Sequence, residues 1–282
     1  MTKVAIVTDS TANLPQQLID RYQIRVAPQT LIWGHETFRD GVDIQPDEFY
    51  TRLENSKVIP TTSQVTPAEF MRIYQDLLDQ DYDILSVLVS AKLSGTIQSA
   101  VQAVEMLNTD RVAIVDSTSV SMALGFQTLL AARAAEQGAS LQECKALAEK
   151  TLDKVGVLFV VDTLKYLHLG GRIGGGARFL GTALNLKPIL EVINGRIEAI
   201  ERVRTKRKAV ERILDLLEQR IAGRQPLYIS ALHAKAAAEA SDLLDHACKR
   251  LHPVESYLTE VSPVVGVHTG PGVVGLAFLA GM

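Results

Sequence analysis

Aromatic side chains are scarce, at 5% of 282 residues, so aliphatic residues must fill the interior. Cysteine is nearly absent. Cys144 and Cys248 stand far apart with no CxxC spacing, which excludes a disulfide framework and suggests reduced thiols in a cytoplasmic protein. Positive charge is not in excess: the formal net charge is −3, which argues against nucleic acid as the main ligand. The start, MTKVAIVTDS, lacks the basic, apolar and small-residue order of a signal peptide. The stretch from Ser262 to Met282 is uncharged apart from His268, but HTGPG at 268–272 interrupts it. A buried strand, a turn and a last helix are expected there rather than a membrane span.

Catalytic signatures are missing as well. There is no GxSxG elbow, no kinase signature, and no GxGxxG or GxxxxGK[ST] register. The six histidines are scattered, none spaced HxxxH or HxH, so neither a metal nor any other cofactor is expected. The residues suggest a binder of a small anion with an apolar body, not a self-sufficient catalyst.

At 47% hydrophobic and 22% charged residues, the composition is that of a folded globular chain. Apolar runs at 3–7, 83–89, 111–115 and 155–161 alternate with helical patterns, the mark of a parallel sheet covered by helices. Helix starts are expected at Asn13 with Gln16, Thr66 with Pro67 and Glu69, and Ser140 with Glu143. The second half differs. Asn194-Gly195 between alternating segments predicts a hairpin with a type I′ turn. Strands are also expected at 254–261 and 264–268. The fold class is therefore α/β in two lobes: residues 1–160 with a parallel sheet, and residues 161–282 of α+β character, with a ligand cavity between or beside them.

Several polar clusters stand out. PTTSQVTPAEF (60–70) places Thr61, Thr62 and Ser63 in a short loop with no evident structural task. SAKLSGTIQSA (90–100) puts Ser94-Gly95-Thr96 at a helix start, where free N–H groups attract anions. That helix should bury Ile97, Val101 and Val104. VAIVTDST (4–11) is echoed by VAIVDSTS (112–119), two strands ending in hydroxyls that either line a crevice or cap helices. Gly170-Gly171 and Gly174 to Gly176 suggest turns with Arg172 exposed, and His268 is placed at a strand end. Residues 196–212 carry seven basic and three acidic side chains, either a solvated face or a docking surface for an acidic partner.

These segments, in this order and over roughly residues 3 to 280, resemble the DegV family, the fatty-acid-binding subunits of bacterial fatty acid kinase. The resemblance rests on VTDSTANLP (7–15), FRDGVDI (38–44), PTTSQ (60–64), LSGTIQSA (93–100), GGRIG (170–174), LNLKPIL (184–190), RTKRKA (204–209) and HTGPG (268–272). It implies two lobes around a long-chain fatty acid, with the carboxylate held by Thr62, Ser63, Ser94 and His268 and by the backbone at Gly95. It also implies a separate ATP-using kinase subunit that phosphorylates the bound carboxylate for phospholipid synthesis, so the chain is not catalytic alone. The basic residues Arg172, Arg202, Arg204, Lys206, Arg207 and Lys208 are the candidate docking surface. The alternative is a stand-alone lipid carrier or regulatory fatty-acid-binding protein. Two positions depart from the family pattern: His35 in WGHE, where an acidic residue is common, and His168-Leu169 in YLHLGGR, where basic residues are frequent. The head-group ring is expected to be built of neutral donors.

Overall fold

The computed structural model describes residues 3–175 and 186–282. In chain order, β1 (Lys3–Asp9) leads through a 3-10 turn (Ser10–Ala12) to α1 (Gln16–Tyr22) and then β2 (Arg25–Ala27), β3 (Thr30–Trp33) and β4 (Glu36–Arg39). Next come α2 (Pro46–Asn55), β5 (Thr61–Ser63), α3 (Pro67–Asp79), β6 (Tyr82–Leu88), α4 (Thr96–Leu107) and β7 (Val112–Asp116). The middle of the chain forms α5 (Ser121–Glu136), α6 (Leu141–Lys150), β8 (Val155–Val160) and α7 (Lys165–Leu169). The remainder forms β9 (Lys187–Ile193), β10 (Arg196–Val203), α8 (Lys206–Ile221), β11 (Leu227–His233), α9 (Ala237–Leu251), β12 (Glu255–Glu260), α10 (Pro263–Thr269) and β13 (Val274–Ala280).

The strands form three sheets. The first is all parallel, in the order β2-β1-β6-β7. The second, β10-β9-β8-β13-β11-β12, is antiparallel except for the β11–β12 pair. A small antiparallel sheet, β4-β3-β5, lies beside them. Helix α5 is buried almost all round because it packs on β1 of one large sheet and on β8 and β13 of the other. A core cluster containing Leu31, Phe49, Phe126, Phe159 and Leu232 runs across that join.

Local rules decide several elements. Ser140 and Glu143 form the full capping box at α6. Thr66 caps α3 by accepting from the Glu69 N–H, but the Glu69 carboxylate turns to Arg72 instead of closing the box. Asn194 (φ 49°) and Gly195 (φ 77°) make the left-handed pair of a type I′ turn between β9 and β10.

Other expectations are corrected. Asn13 does not start α1. It ends the 3-10 turn in a left-handed conformation, and the helix begins at Gln16 behind Pro15. The join of the lobes falls before residue 155, since β8 pairs with β13 and β9 in the second large sheet. Residues 61–63 are a strand, paired with β3. In α4 the fully buried positions are Thr96, Ser99, Ala100 and Ala103, because small residues let α4 approach α3 closely. The end of the chain reverses the expected order, with a helix (α10) before the turn and a strand (β13) after it. Pro263 suits the first helical turn, and Asp40 accepts a hydrogen bond from the Val264 N–H. The all-apolar β13 runs between β8 and β11, where both of its faces are buried.

Candidate functional site

Pairing of β5 with β3 sets Leu31 opposite Thr62 and leaves Thr62 half-buried between two exposed neighbours. The Thr62 Oγ1 lies 2.8 Å from Nε2 of His268, which sits in the last turn of α10. Two glycines make that placement possible. A side chain at Gly170 would overlap Nδ1 of His268, and one at Gly266 would strike Tyr50 and Phe49, on which α10 rests. Nδ1 of His268 is buried with no hydrogen-bond partner among the described residues. Burial, reinforced by the nearby Arg172 cation, lowers the His268 pKa to about 4, so the ring is neutral near pH 7.

Ser94 and Gly95 lead into α4, where Ser94 Oγ lies 2.8 Å from Thr96 Oγ1 and Gly95 is an N-cap with no side-chain cap. The Thr96 N–H donates to Ser94 Oγ at the long distance of 3.4 Å, and α4 opens without a side-chain cap from Gly95, an arrangement that suits an anion. A side chain at Gly95 would overlap the Gln64 amide, which donates to Ser99 Oγ at 2.9 Å. Two elements of the second lobe brace this loop. Ser90 Oγ donates to the Gly195 carbonyl at 2.9 Å, and Arg172 donates to the carbonyls of Leu93 (3.0 Å) and Gly170 (2.6 Å).

Thr62, Ser63, Ser94, Gly95 and His268 all line one cavity of about 210 Å³. Its polar wall comes from β5 and the Leu93–Gly95 loop. Its apolar wall comes from the six-stranded sheet and the segments next to it, through Val157, Phe159, Ile197, Leu232, Val261 and Val273. Charge is present too, because Arg172 lines the same cavity. A ring of neutral donors alone does not describe the site.

The other basic candidates divide. Lys206 is held by Asp162 (3.7 Å) and Glu239 (2.9 Å) with its side chain only 19% exposed. Arg202 belongs to β10. Arg204, Arg207 and Lys208 are exposed, with Arg207 paired to Glu211 at 3.3 Å. His35 lies exposed in the β3–β4 turn, and His168 is exposed on α7. Gly176, the last residue of the expected glycine turn, lies outside the described residues.

The sequence pattern of the family described as "Uncharacterised protein, DegV family" matches residues 3–281. The chain belongs to the DegV family. Its relatives include a DegV domain-containing protein of Streptomyces coelicolor, 38% identical, the match covering 97% of both chains. A solved DegV family protein from Thermus thermophilus that binds fatty acid is 36% identical, with a TM-score of 0.93 and 99% of both chains covered. The fatty acid binding protein DegV of Bacillus subtilis is 31% identical, with a TM-score of 0.90, 99% of this chain and 100% of that one covered.

Within this DegV fold the repeated hydroxyl clusters play unequal parts. Asp9 is fully buried and accepts from the Thr11 N–H and hydroxyl, the Val89 N–H and the Gln29 amide, while burial raises its pKa. Asp116 accepts from the Thr118 N–H in a local turn. Both acids are structural, yet Thr11 also lines the cavity. Arg172, expected on an exposed docking surface, lines it as well, together with Gln64, Gln29 and Ser121, which motif reasoning does not single out. Gln64 stands inside the quoted PTTSQ, the only signal pointing to it. Among the described residues no group of acids, histidines or cysteines could hold a metal, and no helix is long and apolar enough to cross a membrane.

Proposed function

We propose that the chain binds one long-chain fatty acid in this cavity, holds its carboxylate at Thr62, Ser63, Ser94, Gly95 and His268, and presents it to a separate ATP-dependent kinase subunit that forms the acyl phosphate. The observation that carries this reading is the meeting of Thr62 with His268 on a cavity that also takes in Ser94 and has an apolar wall of Val157, Phe159, Ile197, Leu232, Val261 and Val273. Fatty acid binding by the Thermus and Bacillus relatives supports it. About fourteen methylenes at ~0.8 kcal/mol each provide most of the affinity, before association costs. The head group sets orientation.

The residue types suit a carboxylate that must stay reactive. Hydroxyls and main-chain N–H groups release and re-form hydrogen bonds as an oxygen is phosphorylated. A neutral His268 offers one hydrogen bond without a second full charge. Arg172 is tied to two carbonyls, and its positive charge favours the carboxylate as an anion. The reading sets the chain in the cytoplasm, feeding phospholipid synthesis, and free Cys144 and Cys248 suit a reducing compartment.

A stand-alone lipid carrier is the second reading. It is favoured by the ion pairs of Lys206 and the inward placement of Arg172, which shrink the basic surface left for a partner. Titration calorimetry with a long-chain fatty acid, followed by an acyl-phosphate assay with the kinase subunit and ATP, separates the two. Binding with phosphorylation supports the first, and binding without it the second. Absence of binding contradicts both.

A further inference from the structure

The cavity has a second polar place that the head-group reading leaves unused. Ser121 lines the cavity, is 3% exposed, and its Oγ is buried without a hydrogen-bond partner among the described residues. It begins α5, a helix of 16 residues whose N-cap, Val120, supplies no side-chain bond and whose first turn holds no acid. The positive end of that helix is therefore uncompensated beside an apolar space. Thr11 and Gln29, 4% and 3% exposed, line the cavity too. Each gives a hydrogen to Asp9 Oδ1, at 2.6 Å from the Thr11 hydroxyl and 3.3 Å from the Gln29 amide. This leaves the hydroxyl oxygen of Thr11 and the second amide hydrogen of Gln29 for another partner.

A buried hydroxyl and a bare helix N-terminus are costly against a plain hydrocarbon chain, which offers them nothing. An oxygen atom on the chain would satisfy both at once. We propose that Ser121, Thr11 and Gln29 form a subsite for an oxygen substituent on the acyl tail, so that the preferred ligand is a hydroxy- or keto-fatty acid. This rests on the fatty-acid reading and adds the ligand class to it. The carboxylate stays at Thr62, Ser94 and His268, and the chain oxygen accepts from Ser121 and the first N–H groups of α5.

The test is a panel of stearic acids carrying a single hydroxyl or keto group at successive carbons, measured against stearate on the purified full chain. Oxygen at a narrow range of positions should tighten binding roughly three- to tenfold, as one net hydrogen bond would. Ser121→Ala should bring the ratio of the two dissociation constants towards one. Ser121→Gly, which suits the left-handed backbone at this residue (φ 57°) better, serves if the alanine variant does not fold. Stearate bound equally well or better than every oxygenated acid overturns the subsite while leaving the fatty-acid reading intact, as expected if water satisfies Ser121. A position-dependent preference that survives both variants overturns the assignment to Ser121. Failure to bind any acid, stearate included, sinks both readings together.

Discussion

Thr62 and His268 meet at 2.8 Å although 206 residues separate them in the chain. One comes from the edge of the small antiparallel sheet, the other from the last turn of α10, so the pair depends on tertiary packing between segments distant in the chain. On the proposed function, Thr62→Val, which keeps shape and removes the hydroxyl, should weaken fatty acid binding roughly tenfold or more. Isothermal titration reads this directly. An unchanged affinity would remove Thr62 from the head-group site.

Gly170 tests the placement of His268. Its backbone is not left-handed, so alanine is conformationally acceptable, but the added methyl would occupy the space of Nδ1. Gly170→Ala should cost on the order of 1 kcal/mol in ligand binding by displacing the ring. In a His268→Ala background the same change should be close to silent. Additive losses in this double-mutant cycle would show that the two positions do not act through each other.

His268 in the last turn of α10 and Asp40, which accepts from the Val264 N–H at its start, respond to pH with opposite sign. His268 titrates near 4 in the fold against 6.5 ordinarily, so the unfolded chain takes up the proton first and stability falls as pH drops through that window. Burial raises Asp40 from 3.8 to about 6, so the fold holds its proton longer; that contribution is present at low pH and lost as pH rises through about 6. Thermal unfolding between pH 4.5 and 7 should therefore show a shallower acid loss in His268→Gln and a steeper one in Asp40→Asn than in the unaltered chain. Parallel curves for all three would contradict both assignments.

On the proposed function, a kinase subunit would dock on the exposed cations that remain. Arg207→Glu with Lys208→Glu should lower acyl-phosphate formation severalfold while lipid binding stays intact. Unchanged phosphorylation would place the partner elsewhere. Lys206, held by Asp162 and Glu239, is a poor choice for this test because its reversal disturbs two ion pairs.

Local signals account for what the sequence revealed of the fold. The capping box of Ser140, the Asn194-Gly195 turn and the apolar strands β1, β6, β7 and β8 all depend on neighbours within a few residues. The chain end departs from the order its sequence predicts because its determinants are distant. Val264, Val265 and Val267 look like a strand until Asp40, 224 residues away, accepts from the Val264 N–H and Tyr50 packs on Gly266. Arg172 departs from its expected exposed place for the same reason: its guanidinium donates to the carbonyl of Leu93, 79 residues away. Thr62, Ser63, Ser94, Gly95 and His268 carry family motifs, but that they line one cavity follows from packing of distant segments, which no single segment reveals.

The most direct measurement is carbon NMR of a fatty acid labelled at its carboxyl carbon and bound to the purified protein. The account predicts a single bound carboxyl resonance, in the ionised range at pH 7, that moves in Thr62→Val and again in Ser94→Ala. A bound resonance that is identical in the unaltered chain and in both variants would contradict it.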